Sequence, residues 1–216
     1  MINNQKKGFY QKYIKIPQDV SIAVVLLIAL SPILFVVALL VRIKLGRPII
    51  FKQERAGKEG KPYYMYKFRS MSNEYDINGD ILPDEQRLQK FGKLLRSTSL
   101  DELPSLWNVI RCEISLVGPR SLYVHYNGLY NEQQARRLEV RPGITGLAQI
   151  NGRNTLGWEE RFLYDVQYVD NVTFVGDWKI MFKTIGKVIK REGITSSTSV
   201  TMEEFKGNQL EVITHE

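Results

Sequence analysis

The feature that most constrains this chain is an uncharged apolar run near its start. Residues 20–41 read VSIAVVLLIALSPILFVVALLV. As a helix at about 1.5 Å per residue, this run would measure about 33 Å, enough to cross a hydrocarbon core of about 30 Å. The run is too long for the apolar part of a cleaved signal peptide, and no small-residue cleavage site follows it. We therefore expect this segment to enter a membrane.

Two features of the apolar run argue against a simple crossing. Pro32 has no N–H to donate to the carbonyl of Ile28, which predicts a bend at Ser31-Pro32, and the Ser31 hydroxyl could take up part of the freed bonding. Both flanks are also basic, so the positive-inside rule draws both ends to the cytoplasmic side. We predict a re-entrant helix hairpin; the alternative is an ordinary span kinked by proline. The basic flanking residues are Lys6, Lys7, Lys12, Lys15, Arg42, Lys44, Arg47, Lys52 and Arg55.

The rest of the chain predicts an α+β fold: a mostly helical, membrane-associated domain with a small β-hairpin. Residues 48–69 alternate around a basic turn, which predicts a hairpin that places Lys67 and Arg69 on one face. Helical patterns cover 84–97, 131–140, 158–171 and 177–193. The last is basic and amphipathic, typical of a surface helix or of one lying on an anionic membrane. The predicted organisation is a basic N-terminus with the membrane hairpin (1–45), a cytoplasmic catalytic domain (46–192) and a loosely ordered tail (193–216).

Composition narrows the chemistry. The net charge of +7 indicates an anionic partner such as nucleic acid, acidic lipid or a phosphorylated substrate. Cys112 is the only cysteine, which excludes an internal disulfide and a cysteine zinc site, and its position predicts buried filler. With two histidines and no Walker A or G-x-G-x-x-G pattern, catalysis would depend on carboxylates, Lys, Arg or backbone groups.

The richest stretch is 97–120, STSLDELPSLWNVIRCEISLVGPR. It predicts a helix with two acids at its start, then a short apolar strand and a Gly-Pro-Arg turn. One helical face, expected to pack into the core, carries Leu103, Leu106, Trp107 and Ile110. The adjacent acids Asp101 and Glu102 have two interpretations. They either cap the helix, through a Ser99–Glu102 capping box or with Asp101 as N-cap and Pro104 in the first turn, or they perform chemistry.

Cations and glycines recur around these acids in the sequence. Lys67, Arg96 and Arg120 are joined by Arg153, which ends the glycine-containing loop 141–154. Carboxylates among several cations suit a metal-assisted reaction on a diphosphate, because the cations bind phosphate oxygens while a carboxylate binds metal or attacks phosphorus. For each arginine taken alone, a structural ion pair is the alternative.

Five ordered motifs carry a family resemblance. They are KFRSM (67–71), STSLDELPSLWNVI (97–110), SLVGPR (115–120), RPGITGLAQINGRN (141–154) and WEERFLYDVQYVDN (158–171). With the Ser-Pro-broken apolar helix ahead of them, the chain closely resembles the bacterial sugar transferases, the monotopic phosphoglycosyl transferases, over about residues 10–192. It is similar to the small type that starts bacterial protein N-glycosylation with UDP-diacetylbacillosamine. Ser121 stands where many relatives have proline.

The resemblance implies a reaction. A sugar-1-phosphate, of a HexNAc type with N,N'-diacetylbacillosamine first, would pass from a UDP-sugar to undecaprenyl phosphate, releasing UMP. This would be the first membrane step of glycoconjugate or glycoprotein biosynthesis. In this family Asp101 would be the nucleophile that forms a phosphosugar-aspartyl intermediate and a ligand of Mg²⁺. Glu102 would assist by positioning the metal or moving a proton.

The resemblance also implies a site and partners. Substrate or phosphate binding falls to Lys67, Arg96, Gly118, Pro119, Arg120, Arg153 and Asp165, and Ser31 and Pro32 form the membrane break. Expected partners are the UDP-sugar, undecaprenyl phosphate and the membrane, with a homodimer and downstream glycosyl transferases as further partners and no nucleic acid. The expected location is the cytoplasmic face of the bacterial inner membrane, as a monotopic protein. The alternatives are a glycosyl transferase that moves the sugar alone and releases UDP, and a non-enzymatic basic membrane scaffold.

Overall fold

The computed structural model describes residues 8–152, 156–190 and 204–207. The α-helices are α1 (Lys15–Ala29), α2 (Ser31–Lys44), α3 (Asp84–Arg87), α4 (Lys90–Ser97), α5 (Leu106–Ile110), α6 (Glu132–Ala135), α7 (Leu147–Asn151), α8 (Trp158–Asp170) and α9 (Phe174–Lys190). The strands are β1 (Ile50–Ala56), β2 (Pro62–Phe68), β3 (Ser115–Val117) and β4 (Gly143–Thr145). A π-helical turn covers Tyr10–Ile14, and 3₁₀ segments cover Lys58–Gly60, Leu100–Ser105, Val124–Gly128 and Arg136–Glu139. The mostly helical α+β prediction is confirmed.

The apolar run forms a bent pair of helices, α1 and α2. They meet at Leu30, and the pair is bent by 65°. Ser31 Oγ donates to the carbonyl of Ile28 at 2.8 Å, so the hydroxyl bonds the acceptor that Pro32 cannot reach. Among the described residues no single helix is long and apolar enough to cross a bilayer, whereas Tyr10–Ala29 and Ser31–Lys44 together are, by length and composition.

Both arms of the bent pair pack on the same body. Ala23 of α1 is fully buried in the main core with Val109, while Val41 of α2 is fully buried in a second cluster with Phe68 and Leu95. The outer faces of the pair remain exposed and apolar. Their exposed large side chains include Val24, Val25, Leu26, Ile28, Ile33, Phe35, Val36, Leu39, Leu40 and Ile43.

A buried charged cluster fixes the start of α1. Lys15 Nζ lies 2.6 Å from Asp177 Oδ2 on α9 and 3.4 Å from Asp19 Oδ2. The Tyr10 hydroxyl donates to Asp177 Oδ2 at 2.8 Å, and the Tyr168 hydroxyl lies 2.9 Å from its Oδ1. Lys15 was predicted to be one of the basic residues flanking the membrane segment, but its side chain is buried in this cluster instead.

The predicted hairpin is confirmed. Strands β1 and β2 pair antiparallel with Ile50 opposite Phe68 and Lys52 opposite Tyr66. Lys67 reaches Glu102 from β2, while the buried Arg69 just beyond the strand donates to the backbone carbonyls of Leu45 and Arg47. The hairpin therefore joins the bent pair to the acidic stretch.

Residues 141–152, the described part of the glycine-containing loop, are more regular than predicted. They hold β4, which pairs parallel to β3, and the short helix α7. A Cβ added to Gly143 would lie 2.1 Å from the N of Gly118, and one added to Gly146 would lie 2.1 Å from the O of Gly118. These glycines allow two backbone segments to touch, because any side chain there would collide.

Several local predictions need correction. The helix expected over 84–97 is broken into α3 and α4 by the non-helical backbone of Leu88 and Gln89, and α9 begins at Phe174 rather than at 177. Trp107 was expected in the core but is 52% exposed, since α5 turns it away from the buried Leu106. Cys112 is exposed rather than buried, at a left-handed turn with φ 58° that directs it outward.

The C-terminal tail is described only over residues 204–207. There Phe205 is buried against the rings of Tyr126, Trp158 and Phe162, with centroids 5.0–5.7 Å apart. The remainder of the predicted loose tail, 193–203 and 208–216, lies outside the described residues.

Candidate active site

The acid pair Asp101 and Glu102 follows an abrupt turn. Ser99 has left-handed backbone with φ 56°, which ends α4 and starts the 3₁₀ segment Leu100–Ser105. The Ser99 side chain makes no capping bond, and Asp101 lies inside the 3₁₀ segment, so both capping interpretations are wrong. Glu102 turns instead to cations on other elements, and this frees the pair for chemistry.

Two cations hold Glu102. Its Oε1 accepts from Lys67 Nζ at 2.7 Å and from Arg120 Nη2 at 2.9 Å. Lys67 comes from β2 and Arg120 from the turn after β3, so strands distant in sequence converge on one carboxylate oxygen. The Arg120 side chain is 42% exposed and Lys67 19%, which leaves their remaining donors near solvent.

The pKa values of the two carboxyl groups are shifted in opposite directions. Burial, then the charge of Glu102, raises the pKa of Asp101 to about 6, against the pull of Lys67, Arg96 and Arg120. Burial also pushes the pKa of Glu102 upward, but Arg120 and Lys67 outweigh it and hold that pKa far below its usual range. Neighbouring acids set apart in this way are typical of sites where one carboxylate is an anchor and the other reacts.

Arg96 and the Gly-Pro-Arg turn complete the cationic side of the site. Arg96, at the end of α4, donates from Nε to Ser70 Oγ at 2.9 Å. The N–H of Gly118 donates to the carbonyl of Thr145 at 2.9 Å, and the carbonyl of Pro119 accepts from Gly143 at the same distance. Gly118 and Pro119 thus shape the turn that presents Arg120; their direct contact with phosphate stays a prediction.

Asp165 lies behind this turn and not beside the acid pair. Its side chain is 1% exposed, and its Oδ2 accepts from Nε and Nη2 of Arg137 at 3.0 and 2.9 Å. Arg137 Nη2 also donates to the carbonyl of Arg120 at 2.6 Å. This geometry favours a positioning role for Asp165, through Arg137, over the substrate contact that the resemblance implies.

Three arginines near the site were not predicted as site residues: Arg55, Arg137 and Arg161. Burial and the charge of Arg120 lower the pKa of Arg55, whose guanidinium stacks 3.9 Å from the Tyr123 ring. Burial, then Arg120, lowers the pKa of Arg161 to about 10. Arg55 lies next to the last residue of β1 and Arg161 lies within the last motif, and neither sequence pattern distinguishes these two from surface arginines.

A divalent metal would find one available carboxylate here. Within the described residues no group of three Asp, Glu, His or Cys side chains could hold a metal ion. Mg²⁺ commonly binds one or two carboxylates and completes its shell with substrate phosphates and water, so Asp101 fits that role beside a diphosphate. Arg153, the remaining predicted site residue, lies outside the described residues.

Comparison with known proteins identifies the family of this chain. The family described as bacterial sugar transferase matches residues 10–191. The chain is 52% identical over 190 residues to the uncharacterized sugar transferase EpsL of Bacillus subtilis, covering 88% of this chain and 94% of that protein. It is 42% identical over 180 residues to the UDP-glucose:undecaprenyl-phosphate glucose-1-phosphate transferase of Klebsiella pneumoniae, covering 79% of this chain and 39% of that protein.

A third relative carries another sugar in its name. The chain is 34% identical over 209 residues to the UDP-galactose-lipid carrier transferase of Erwinia amylovora, covering 89% of this chain and 44% of that protein. The chain thus spans less than half of these two longer relatives and nearly all of EpsL. The family match covers the acid pair, the cations that hold it and the bent apolar helices, and this chain belongs to the bacterial sugar transferase family.

Proposed function

We propose that this chain transfers a sugar-1-phosphate from a UDP-sugar to undecaprenyl phosphate and releases UMP. The observation that carries the proposal is the acid pair, with Glu102 held by Lys67 and Arg120 and Asp101 beside them. The names of two relatives, a glucose-1-phosphate transferase and a UDP-galactose-lipid carrier transferase, support the reaction class.

The proposed chemistry has two displacements at one phosphorus. A carboxylate oxygen of Asp101 attacks the β-phosphorus of the UDP-sugar, and the bond to the bridging oxygen breaks so that UMP leaves with the electron pair. A phosphate oxygen of the acceptor then attacks the same phosphorus, and Asp101 leaves as carboxylate. The product is polyprenyl-diphosphate-sugar, and Asp101 returns to its starting state.

Cations are needed because both displacements bring two negatively charged groups together. Lys67, Arg96 and Arg120 lie around the acid pair and can neutralise phosphate oxygens as charge shifts between them. The lowered pKa of Glu102 argues against proton transfer at neutral pH and favours a role in holding Lys67 and Arg120. Mg²⁺, held by Asp101, would supply further neutralisation of the diphosphate.

The membrane placement is part of the proposal. Both arms of the bent pair pack on one body, so a crossing would require that body to lie on both sides of the bilayer. A re-entrant hairpin in one leaflet would bury the exposed apolar faces in lipid and would also account for the 65° bend. The basic residues on both flanks of the pair support a location on the cytoplasmic face of the inner membrane, because the positive-inside rule favours that side.

The most specific part of the proposal is the identity of the donor sugar. The resemblance favours a UDP-HexNAc, with UDP-diacetylbacillosamine first, while the two named relatives carry glucose and galactose in their names. A panel of these donors, with undecaprenyl phosphate and Mg²⁺, tests the proposal through the nucleotide released. Wild type, Asp101→Asn and the exposed-loop control Asp80→Asn are compared.

Each outcome of the panel has a meaning. UMP from wild type and Asp80→Asn, but not from Asp101→Asn, is the expected result. UDP in place of UMP would mean transfer of the sugar alone and would overturn the two-step chemistry. No nucleotide from any donor would favour the non-enzymatic scaffold. Loss of release on adding EDTA, with recovery on Mg²⁺, is expected for a metal-dependent diphosphate reaction.

A further inference from the structure

An apolar groove of about 600 Å³ lies between the bent pair, the hairpin and the segment after the acid pair. Phe35 and Ala38 line it from α2, Phe68 from β2 and Trp107 from α5. Of the described residues lining the groove, only Lys52 is charged. Phe35 and Trp107 are 71% and 52% exposed, so large apolar side chains face open space here. We call this feature the tail groove.

The tail groove and the acid pair share a strand. Tyr66 and Phe68 of β2 line the groove, whereas Lys67 between them reaches Glu102, because successive side chains of a strand point to opposite faces. Pro104, which also lines the groove, follows Asp101 by three residues within the same 3₁₀ segment. The groove and the acid pair therefore lie on opposite faces of β2, and Pro104 brings the groove within three residues of Asp101 along the chain.

Polarity divides sharply between the two sides of this strand. One side gathers Lys67, Arg96 and Arg120 around two carboxylates; the other is walled by aromatic and aliphatic side chains. Leu27 of α1 and Leu34 of α2 also line the groove, and α1 carries a further exposed apolar side chain outside it, Ile28, which is 70% exposed. Such an arrangement fits one amphipathic molecule with an anionic head and a long hydrocarbon tail.

We propose that the tail groove holds the first isoprene units of the polyprenyl acceptor, with its phosphate at the acid pair and the rest of the chain in the bilayer. This inference rests on the proposed function. It assigns acceptor recognition to Phe35, Ala38, Phe68 and Trp107, none of which the sequence analysis placed in the site. Burial of apolar surface supplies the affinity, and the phosphate contacts fix the register.

Filling the groove tests the inference. Ala38→Trp places an indole in the groove, and Leu39→Trp, one residue along and not lining it, is the matched control. Acceptor use is measured as kcat/KM with undecaprenyl phosphate and with dimethylallyl phosphate, a one-isoprene acceptor. We expect Ala38→Trp to lower the ratio of kcat/KM for undecaprenyl phosphate to kcat/KM for dimethylallyl phosphate by about tenfold or more. Each methylene that the indole excludes from the groove loses the free energy of its transfer out of water. Leu39→Trp should leave this ratio unchanged.

A second pair guards against misfolding of the first. Phe35→Ser removes an exposed groove side chain, and Val36→Ser removes an exposed neighbour that does not line the groove. Only Phe35→Ser should lower the same ratio. The UMP burst without acceptor, which reports the first displacement alone, should be equal to wild type in all four variants.

The outcomes separate failure of the inference from failure of the proposed function. Absence of any UMP from wild type would overturn the proposed function. UMP from wild type, with equal ratios for groove and control variants, would overturn only the tail groove. Weaker vesicle association of both groove variants with unchanged ratios would identify a bilayer lipid tail as the occupant and would likewise overturn the inference.

Discussion

Two clusters in this molecule use the same chemical groups for different ends. The acid pair, with Lys67 and Arg120 on Glu102, and the buried cluster, with Lys15 on Asp177, both join lysine to carboxylate at 2.6–2.7 Å. They differ in access to water. The Lys15 and Asp177 side chains are 5% and 1% exposed, whereas Arg120 is 42% exposed.

Exposure to water separates the structural ion pair from the reactive one. In the buried cluster both oxygens of Asp177 have internal partners, since tyrosine hydroxyls lie within bonding distance of each. The acid pair brings three cations near two carboxylates, and these cations keep donors near solvent. Only the second arrangement can accept an anionic ligand without first breaking the fold.

The largest expected effect is on turnover at the acid pair. Asp101→Asn should lower UMP release by about a thousandfold or more, because the amide cannot act as the nucleophile. Its melting temperature should equal or exceed that of wild type, since burial and the charge of Glu102 disfavour the ionised carboxylate in the fold. Nucleotide release and a thermal melt check both parts. A large fall in melting temperature would make Asp101 structural and blur the comparison.

The reverse pattern is expected at the buried cluster. Lys15→Met leaves Asp19 and Asp177 without their shared cation, which should cost about 3–5 kcal/mol in the free energy of unfolding. Chemical denaturation measures that cost, with the exposed Lys12→Met as control. Activity per folded molecule should be retained. If Lys15→Met instead removed turnover at full stability, the two clusters would no longer be distinct.

An intermediate effect is expected where a buried pair supports the site. Arg137→Lys keeps the charge but loses the planar fork that joins Asp165 to the carbonyl of Arg120. We expect kcat to fall about tenfold, or about 1.4 kcal/mol, while the KM for donor changes little. Arg136→Lys, at the neighbouring surface pair with Asp170, is the control and should remain near wild type. Equal kinetics in both variants would remove the positioning role.

The smallest effect is expected at an exposed ion pair. Glu59 at the hairpin tip lies 3.2 Å from Lys58 and 3.1 Å from Lys61, with its side chain 55% exposed. Glu59→Gln should leave turnover and the melting temperature unchanged within error, because water screens such pairs. A measurable loss at Glu59 would show that exposure alone does not sort the ion pairs of this protein.

Local patterns predicted the elements that local forces determine. The hairpin follows from alternation, the break at Leu30 from the missing N–H of Pro32, and β3 from a short apolar run. The acid pair was identified as a candidate site, and the family resemblance assigned Asp101 its role. That role, and the predicted domain boundaries, await experiment.

The misses share a physical cause, which is contact between residues distant in sequence. Lys15 meets Asp177 across 162 positions, so nothing near Lys15 reveals its burial. Arg137 and Asp165 are 28 positions apart, and each looks like an ordinary helical surface residue. The capping interpretation of Ser99 failed for a similar reason, because Lys67 on β2 competes for Glu102.

The contact between Gly118, Gly143 and Gly146 has a consequence for protein engineering. A side chain at any of the three would drive two backbones apart and carry Arg120 with them. Libraries intended to change the accepted sugar should therefore leave these three positions fixed. Variation belongs instead at partly exposed positions that can change without moving that turn. There a new side chain can alter how the sugar fits while Arg120 keeps its position.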